Sequence, residues 1–206
     1  MYGLNTLNWN RHLTTIVWDK KVLAADRAHT GVFKTTYKRK IFSPEIETFF
    51  EGSQLMAFGG AGQSMYLNTF ENMLLKQRST SVSQVMNQLA QDAALSVKDI
   101  NTSLLILTVD ACYKVWLDGK NPLYENVTNT SVAIGSGARY ARSILPKAGA
   151  FAALARAARR DKKTSCRIDW IGKAPGSKIK SASYRDQIWA LLKDRILLRN
   201  SFSEND

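Results

Sequence analysis

Short apolar runs bounded by turn residues alternate along this chain with longer stretches of helical spacing. Residues 14–18 and 21–25 are two apolar runs separated by the polar pair Asp19-Lys20, which reads as a tight hairpin. Residues 32–42 alternate loosely and are rich in Thr, Tyr, Val and Phe, so a further strand pair is predicted there, broken by Ser43-Pro44. Residues 54–58 predict a strand that the small residues Gly59 to Gly62 end. Met65, Phe70, Met73, Leu74 and Leu75 then recur at helical spacing. Ser79-Thr80-Ser81 offers an N-cap for a second amphipathic helix carrying Val82, Val85, Met86, Leu89 and Ala93, adjacent and antiparallel to the first. Strands return at 103–109 and 112–116, with Asp118-Gly119 as a hairpin signal. Another strand is predicted at 130–134, ending at Gly135-Ser136-Gly137. Helices are predicted from 138 to about 145 and from 148 to 160, separated by Pro146. Residues 166–171 read as a strand and 172–176 as a loop. Residues 184–199 read as a final helix burying Ile188, Leu191, Leu192 and Leu197. Two sheets between two helical layers satisfy this order.

Composition narrows the class. A chain of 206 residues with 45% hydrophobic and 22% charged residues suits one globular domain. No apolar run approaches the roughly 20 residues that span a bilayer. Residues 1–13 hold Asn5, Asn8, Asn10, Arg11 and His12, so no signal-peptide core is seen and a soluble, cytoplasmic protein is expected. Cys112 and Cys166 lack metal-ligand spacing and read as free cysteines. No metal and no cofactor are expected.

The charge is uneven. Residues 139–206 carry 16 Lys/Arg against 6 Asp/Glu, a net +10 of the chain's +12. This basic third is either a solvated face or an attractor of nucleic acid or an acidic partner. Its aromatics are not interleaved with the charges as on single-strand-binding surfaces.

Four segments carry candidate chemistry. The first is Thr14-Thr15-Ile16-Val17, returning as Leu23-Ala24-Ala25-Asp26-Arg27. The second is Lys40-Ile41-Phe42. The third is Ala57-Phe58-Gly59-Gly60-Ala61-Gly62, leading into a helix. The fourth is Ile134-Gly135-Ser136-Gly137-Ala138-Arg139-Tyr140-Ala141. In this order, over residues 14–171, they resemble the proteasome β-subunit and HslV family of threonine peptidases, and compact viral members in particular. The resemblance implies an α+β four-layer αββα sandwich, the N-terminal-nucleophile hydrolase fold. It divides the chain into an N-terminal segment at 1–13 (a possible propeptide), a domain at 14–171 and a basic extension at 172–206.

The resemblance also implies roles. Thr14 would be the nucleophile through its hydroxyl, which is weak until a base takes its proton. In the family that base is the threonine's own α-amino group, with an ordinary pKa of about 8. Lys40 would hold positive charge beside the hydroxyl, and Asp26 would hold Lys40. Without catalysis, the same pair is an ion pair that stabilises the hairpins. Gly59 would offer its N–H to the developing oxyanion, or simply turn the chain. Ser136 would bond near the threonine amine, or cap the following helix. Asp161 and Thr164, with Ser165 as a one-residue shift, match a late Asp and hydroxyl pair. A homo-oligomeric ring, a peptide or unfolded-protein substrate and a separate ATP-dependent unfoldase complete the expectation. Leu13 precedes Thr14 where active members expose the threonine after a glycine or an initiator Met. A free amine therefore requires cleavage after Leu13. The alternative is a non-catalytic assembly protein that retains residues 1–13.

Overall fold

The computed structural model describes residues 11–12, 14–30, 35–95 and 102–182. The first strands are β1 (Arg11–His12), β2 (Thr15–Trp18), β3 (Val22–Asp26), β4 (Ala28–Thr30), β5 (Thr35–Tyr37), β6 (Ile41–Phe42), β7 (Phe49–Phe50) and β8 (Ser53–Gln63). Then come α1 (Ser64–Lys76), β9 (Ser79–Thr80), α2 (Val82–Leu95), β10 (Ser103–Thr108), β11 (Cys112–Asp118), β12 (Asn121–Asn126) and β13 (Val132–Gly135). The chain continues through α3 (Ala138–Arg142), α4 (Leu145–Arg160), β14 (Ile168–Gly172) and β15 (Lys180–Ala182).

The larger sheet runs β12-β11-β10-β8-β7-β9, with β1 and β6 also paired to β8, and the smaller runs β13-β2-β3-β14-β15. The side chains sort into three layers. Ile16, Trp18, Leu23, Ala25, Ala57, Leu105 and Leu107 pack between the sheets. Phe58, Leu104 and Ile106 turn to the other face of the larger sheet, against Phe70, Leu74, Val85 and Leu89 of α1 and α2. Val17 and Ala24 turn from the smaller sheet toward Ala141, Ala153, Leu154 and Ala157 of α3 and α4. A strand covered on both faces has no polar side to alternate with, which is why these segments read as unbroken apolar runs. The layering is the expected αββα sandwich.

Two expectations change, and one strand goes beyond them. The glycine run does not end β8, which pairs through it: Gly59 faces Ile41 on one edge and Leu105 on the other. A Cβ on Gly59 would stand 2.9 Å from the Lys40 carbonyl oxygen, and one on Gly60 would strike the Leu67 side chain. These residues are small because neighbours approach closely. Pro146 does not separate two helices but lies in the first turn of α4. The break is Gly149, at φ 76°, where the Ala150 N–H donates to Asp19 Oδ2 at 2.9 Å. The strand after Asp118-Gly119, β12, is largely exposed and polar, so it carries no apolar pattern.

The helix expected after Ser81 is present with a capping box. The Gln84 N–H donates to Ser81 Oγ at 3.2 Å, and the Ser81 N–H donates back to Gln84 Oε1 at 2.8 Å. The terminal helix expected at 184–199 lies outside the described residues. Of residues 172–206, β15 pairs with β14 at the smaller sheet's edge. Among the described residues no helix is long and apolar enough to cross a membrane.

Candidate active site

The hairpin β2–β3 pairs Ile16 with Ala25. One step further, that antiparallel register brings Thr15 beside Asp26, the last residue of β3. Thr14 directly precedes β2, and Lys40 directly precedes β6 on the facing sheet. Ser136 follows β13, and Asp161 is the C-cap of α4. Thr14, Asp26, Lys40, Ser136 and Asp161 therefore each sit at or beside the end of a strand or helix, whereas Gly59 lies within β8 and Thr164 between α4 and β14.

Asp26 is the hub. Thr14 Oγ1 donates to its Oδ1 at 3.3 Å, and Lys40 Nζ lies 3.2 Å from the same oxygen and 3.4 Å from Oδ2. The Thr15 N–H donates to Oδ1 at 2.8 Å. The Ala28 and Ser165 N–H groups donate to Oδ2 at 2.8 and 3.0 Å. Thr14 and Asp26 are 0% exposed and Lys40 6%. Burial pushes the Asp26 carboxyl up and the Lys40 ammonium down from their ordinary values, while their mutual attraction opposes both shifts. A hydroxyl is thus held against a carboxylate whose other bonds are all to fixed donors.

A second acid closes the other side. Ser136 Oγ donates to Asp161 Oδ2 at 2.7 Å, and Thr164 Oγ1 donates to the same oxygen at 2.9 Å. Partial burial pushes the Asp161 carboxyl up, but bonds from Ser136, the Lys163 N–H and Thr164 outweigh it and hold it below the ordinary value. Asp161 also acts on Lys40 electrostatically, which ties the two groups together. The Ser136 N–H donates to the Thr14 carbonyl at 2.9 Å, so the Thr14 backbone is held by Ser136 while its hydroxyl bonds Asp26.

Sequence reasoning missed Thr15. Its Oγ1 lies 2.7 Å from Thr164 Oγ1 and accepts the Gly137 N–H at 3.1 Å. Because Thr164 donates to Asp161, the chain of bonds runs from Gly137 through Thr15 and Thr164 to Asp161. Thr15 thereby connects both acids, through its N–H to Asp26 and its hydroxyl to Asp161. The signal lay in the Thr-Thr pair, but the partner is 149 residues away. Thr15→Val keeps the shape and leaves the Gly137 N–H buried without an acceptor. A loss of about 1–3 kcal/mol in denaturant unfolding is expected, and an unchanged midpoint would remove this role.

Gly59 lies beside the Lys40 carbonyl and is flanked by strands on both edges. Among the described residues, the outer edge of β8 has no partner a little further on. β6 pairs as far as Gly59, β1 takes over at Gly62 and Gln63, and Gly60 and Ala61 lie between. A Cβ on Gly135 would meet both the Thr14 carbonyl and Ala61 Cβ, so this gap adjoins Thr14.

No known family model matches the chain, and no curated protein matches it. Solved structures do. A mutant of Anbu from Hyphomicrobium sp. strain MC1 aligns at a TM-score of 0.61 and 15% identity, covering 92% of this chain and 97% of that one. Anbu from the same strain in another crystal form gives 0.59 and 13%, covering 92% and 96%. These findings correct the resemblance drawn from the motifs. Both of these structures are Anbu rather than HslV, a proteasome β-subunit or a compact viral member, and no family model takes in this sequence. Apolar strands covered on both faces and small residues at close approaches recur wherever this layering does, so such motifs mark the fold without marking a family. At this identity the likeness establishes architecture: the chain has the proteasome-like N-terminal-nucleophile hydrolase fold.

Proposed function

We propose that this protein is a threonine peptidase of the N-terminal-nucleophile type that assembles into a homo-oligomeric ring. The convergence of Thr14, Lys40 and the Thr15 N–H on Asp26 Oδ1 carries the reading. Maturation breaks the Leu13–Thr14 bond. Thr14 Oγ1 then attacks the substrate carbonyl carbon, and its proton passes to the freed α-amine. The acyl ester forms as the peptide amine leaves with that proton, and water hydrolyses the ester to regenerate the hydroxyl. Lys40 stabilises negative charge on Oγ1, Asp26 holds Lys40, and Ser136 with Asp161 orients the amine. Thr164 supports Asp161. Gly59 is the proposed oxyanion donor, through its backbone N–H. Peptides or unfolded proteins are the substrates, delivered by a separate ATP-driven unfoldase.

One observation favours a second reading, a non-catalytic assembly protein that keeps its N-terminal segment. β1 is paired to β8 at Gly62 and Gln63, so the segment has a seat in the sheet. Intact-mass measurement of the purified protein separates the two. The peptidase reading expects loss of residues 1–13, retention of them in Thr14→Ala, and a covalent adduct between the wild type and a threonine-directed electrophile. A stable full-length mass with no adduct and no peptide hydrolysis would overturn it.

A further inference from the structure

Cations gather beside the candidate site. Arg27 follows Asp26 in the chain, and Lys38 and Arg39 precede Lys40. The Arg27 N–H donates to the Arg167 carbonyl, and the Lys38 N–H donates to the Arg27 carbonyl, both at 2.9 Å. Four basic residues are thus anchored side by side by the backbone that holds Asp26 and Lys40. Buried Asp169 faces them, with Arg27 Nε at 3.6 Å and Arg39 Nε at 4.0 Å from its Oδ2. Neither contact is a hydrogen bond, and Ser181 Oγ donates to the other carboxylate oxygen at 2.6 Å. Asp169 therefore faces Arg27 and Arg39 at long range. The Arg39 side chain is 56% exposed, and Lys38 and Arg167 are also exposed.

The cluster reaches the edge of β8 at Gly60. Arg39, Lys40 and Gly60 line one pocket, with Phe42, Phe58, Leu67 and Leu104 as its apolar walls and Glu71 opposite. An extended peptide that adds to the β8 edge at Gly60 and Ala61 would present alternate side chains toward this rim. We propose that the rim of Arg27, Lys38, Arg39 and Arg167 binds carboxylate side chains, and that acidic peptides are the preferred ligand class of this site. The placement of the peptide rests on the peptidase reading; the charge of the rim does not. A nucleic acid fits less well. One face of Tyr37 is covered by the Arg167 guanidinium, 4.3 Å from the ring centroid, which leaves a base only the other face to stack on.

The test uses the full-length chain, in which these side chains are already exposed. Fluorescence anisotropy compares a labelled Glu-rich peptide, its Gln-substituted counterpart and a single-stranded DNA of equal length. Preferential, salt-sensitive binding of the Glu-rich peptide is expected. It should weaken about tenfold in the double variant Lys38→Gln/Arg167→Gln, which removes two exposed charges. Glu71→Gln should strengthen it, and this variant gives an independent readout if the double variant misfolds. Equal binding of the Glu and Gln peptides, tighter binding of the DNA, or no binding at all would each overturn the proposal. Peptide hydrolysis is measured in parallel. Hydrolysis is scored on protein whose mass shows loss of residues 1–13, and binding by that protein without hydrolysis of any peptide would sink the peptidase reading and leave the acid-binding rim standing.

Discussion

Lys40→Met is expected to abolish peptide hydrolysis and to destabilise the protein by about 3–5 kcal/mol, the cost of leaving a buried charge without its partner. Asp26 would keep three backbone donors and the Thr14 hydroxyl but lose its cation. A drop in melting temperature of roughly 10 °C corresponds to that loss in a chain of this size. The pH dependence has a definite sign. Burial already pushes the Asp26 carboxyl up, and removing Lys40 raises it further. The folded variant then binds a proton more tightly than its unfolded chain. Its stability therefore falls as pH rises from the ordinary carboxylate value through the raised one. Thermal unfolding should show Lys40→Met closer to wild type in mild acid than at neutral pH. Asp26→Asn combined with Lys40→Met removes both charges and should recover part of the stability while hydrolysis stays absent. That split separates a chemical role from a structural one. If the single variant melts within about 2 °C of wild type at neutral pH, the pair does not organise this site.

Gly135→Ala is the second large effect. Gly135 ends β13 at φ +93°, a backbone conformation that side chains other than glycine's rarely adopt. Its missing Cβ is also the space in which the Thr14 carbonyl lies. An added methyl must push back either the backbone of β2 or the Ser136 N–H that binds this carbonyl at 2.9 Å. Strain and collision together predict a loss of about 3 kcal/mol or more, readable as a fall of roughly 10 °C in melting temperature. Retention of residues 1–13 is expected as well, because Thr14 would no longer sit against Asp26. Unchanged melting with normal maturation would show that β13 yields here at little cost.

Much of this architecture was legible one segment at a time. The hairpin at Asp19-Lys20, the capped helix after Ser81 and the apolar strands all follow from interactions within a few residues. Lys40 and Ser136 stood out only through the family resemblance of the short motifs around them, and Asp26 through that resemblance and its place at the end of an apolar run. Other features depend on what a segment meets across the fold. Gly59 and Gly60 looked like a strand end, and only the facing Lys40 carbonyl and Leu67 explain their size. Pro146 looked like a helix break, yet a proline in a first turn breaks nothing, and Asp19 from the distant hairpin secures the bend at Gly149. The pairing of β1 with β8 joins segments about 50 positions apart with no apolar pattern to announce it. The family resemblance overreached for a related reason: motifs set by shared layering identify the layers before they identify a lineage.

The chain's local order determined which segments become strands and helices, the sandwich that buries them, and the hydroxyl, ammonium and carboxylates available to it. Only the tertiary structure decided that Thr14 and Lys40 meet on one oxygen of Asp26, that Thr15 links that acid to Asp161, and that Arg27 and Arg39 both face Asp169. The reason is physical. Periodicity is a property of neighbours in sequence, whereas desolvation and charge pairing arise when the two sheets close on groups far apart in the chain.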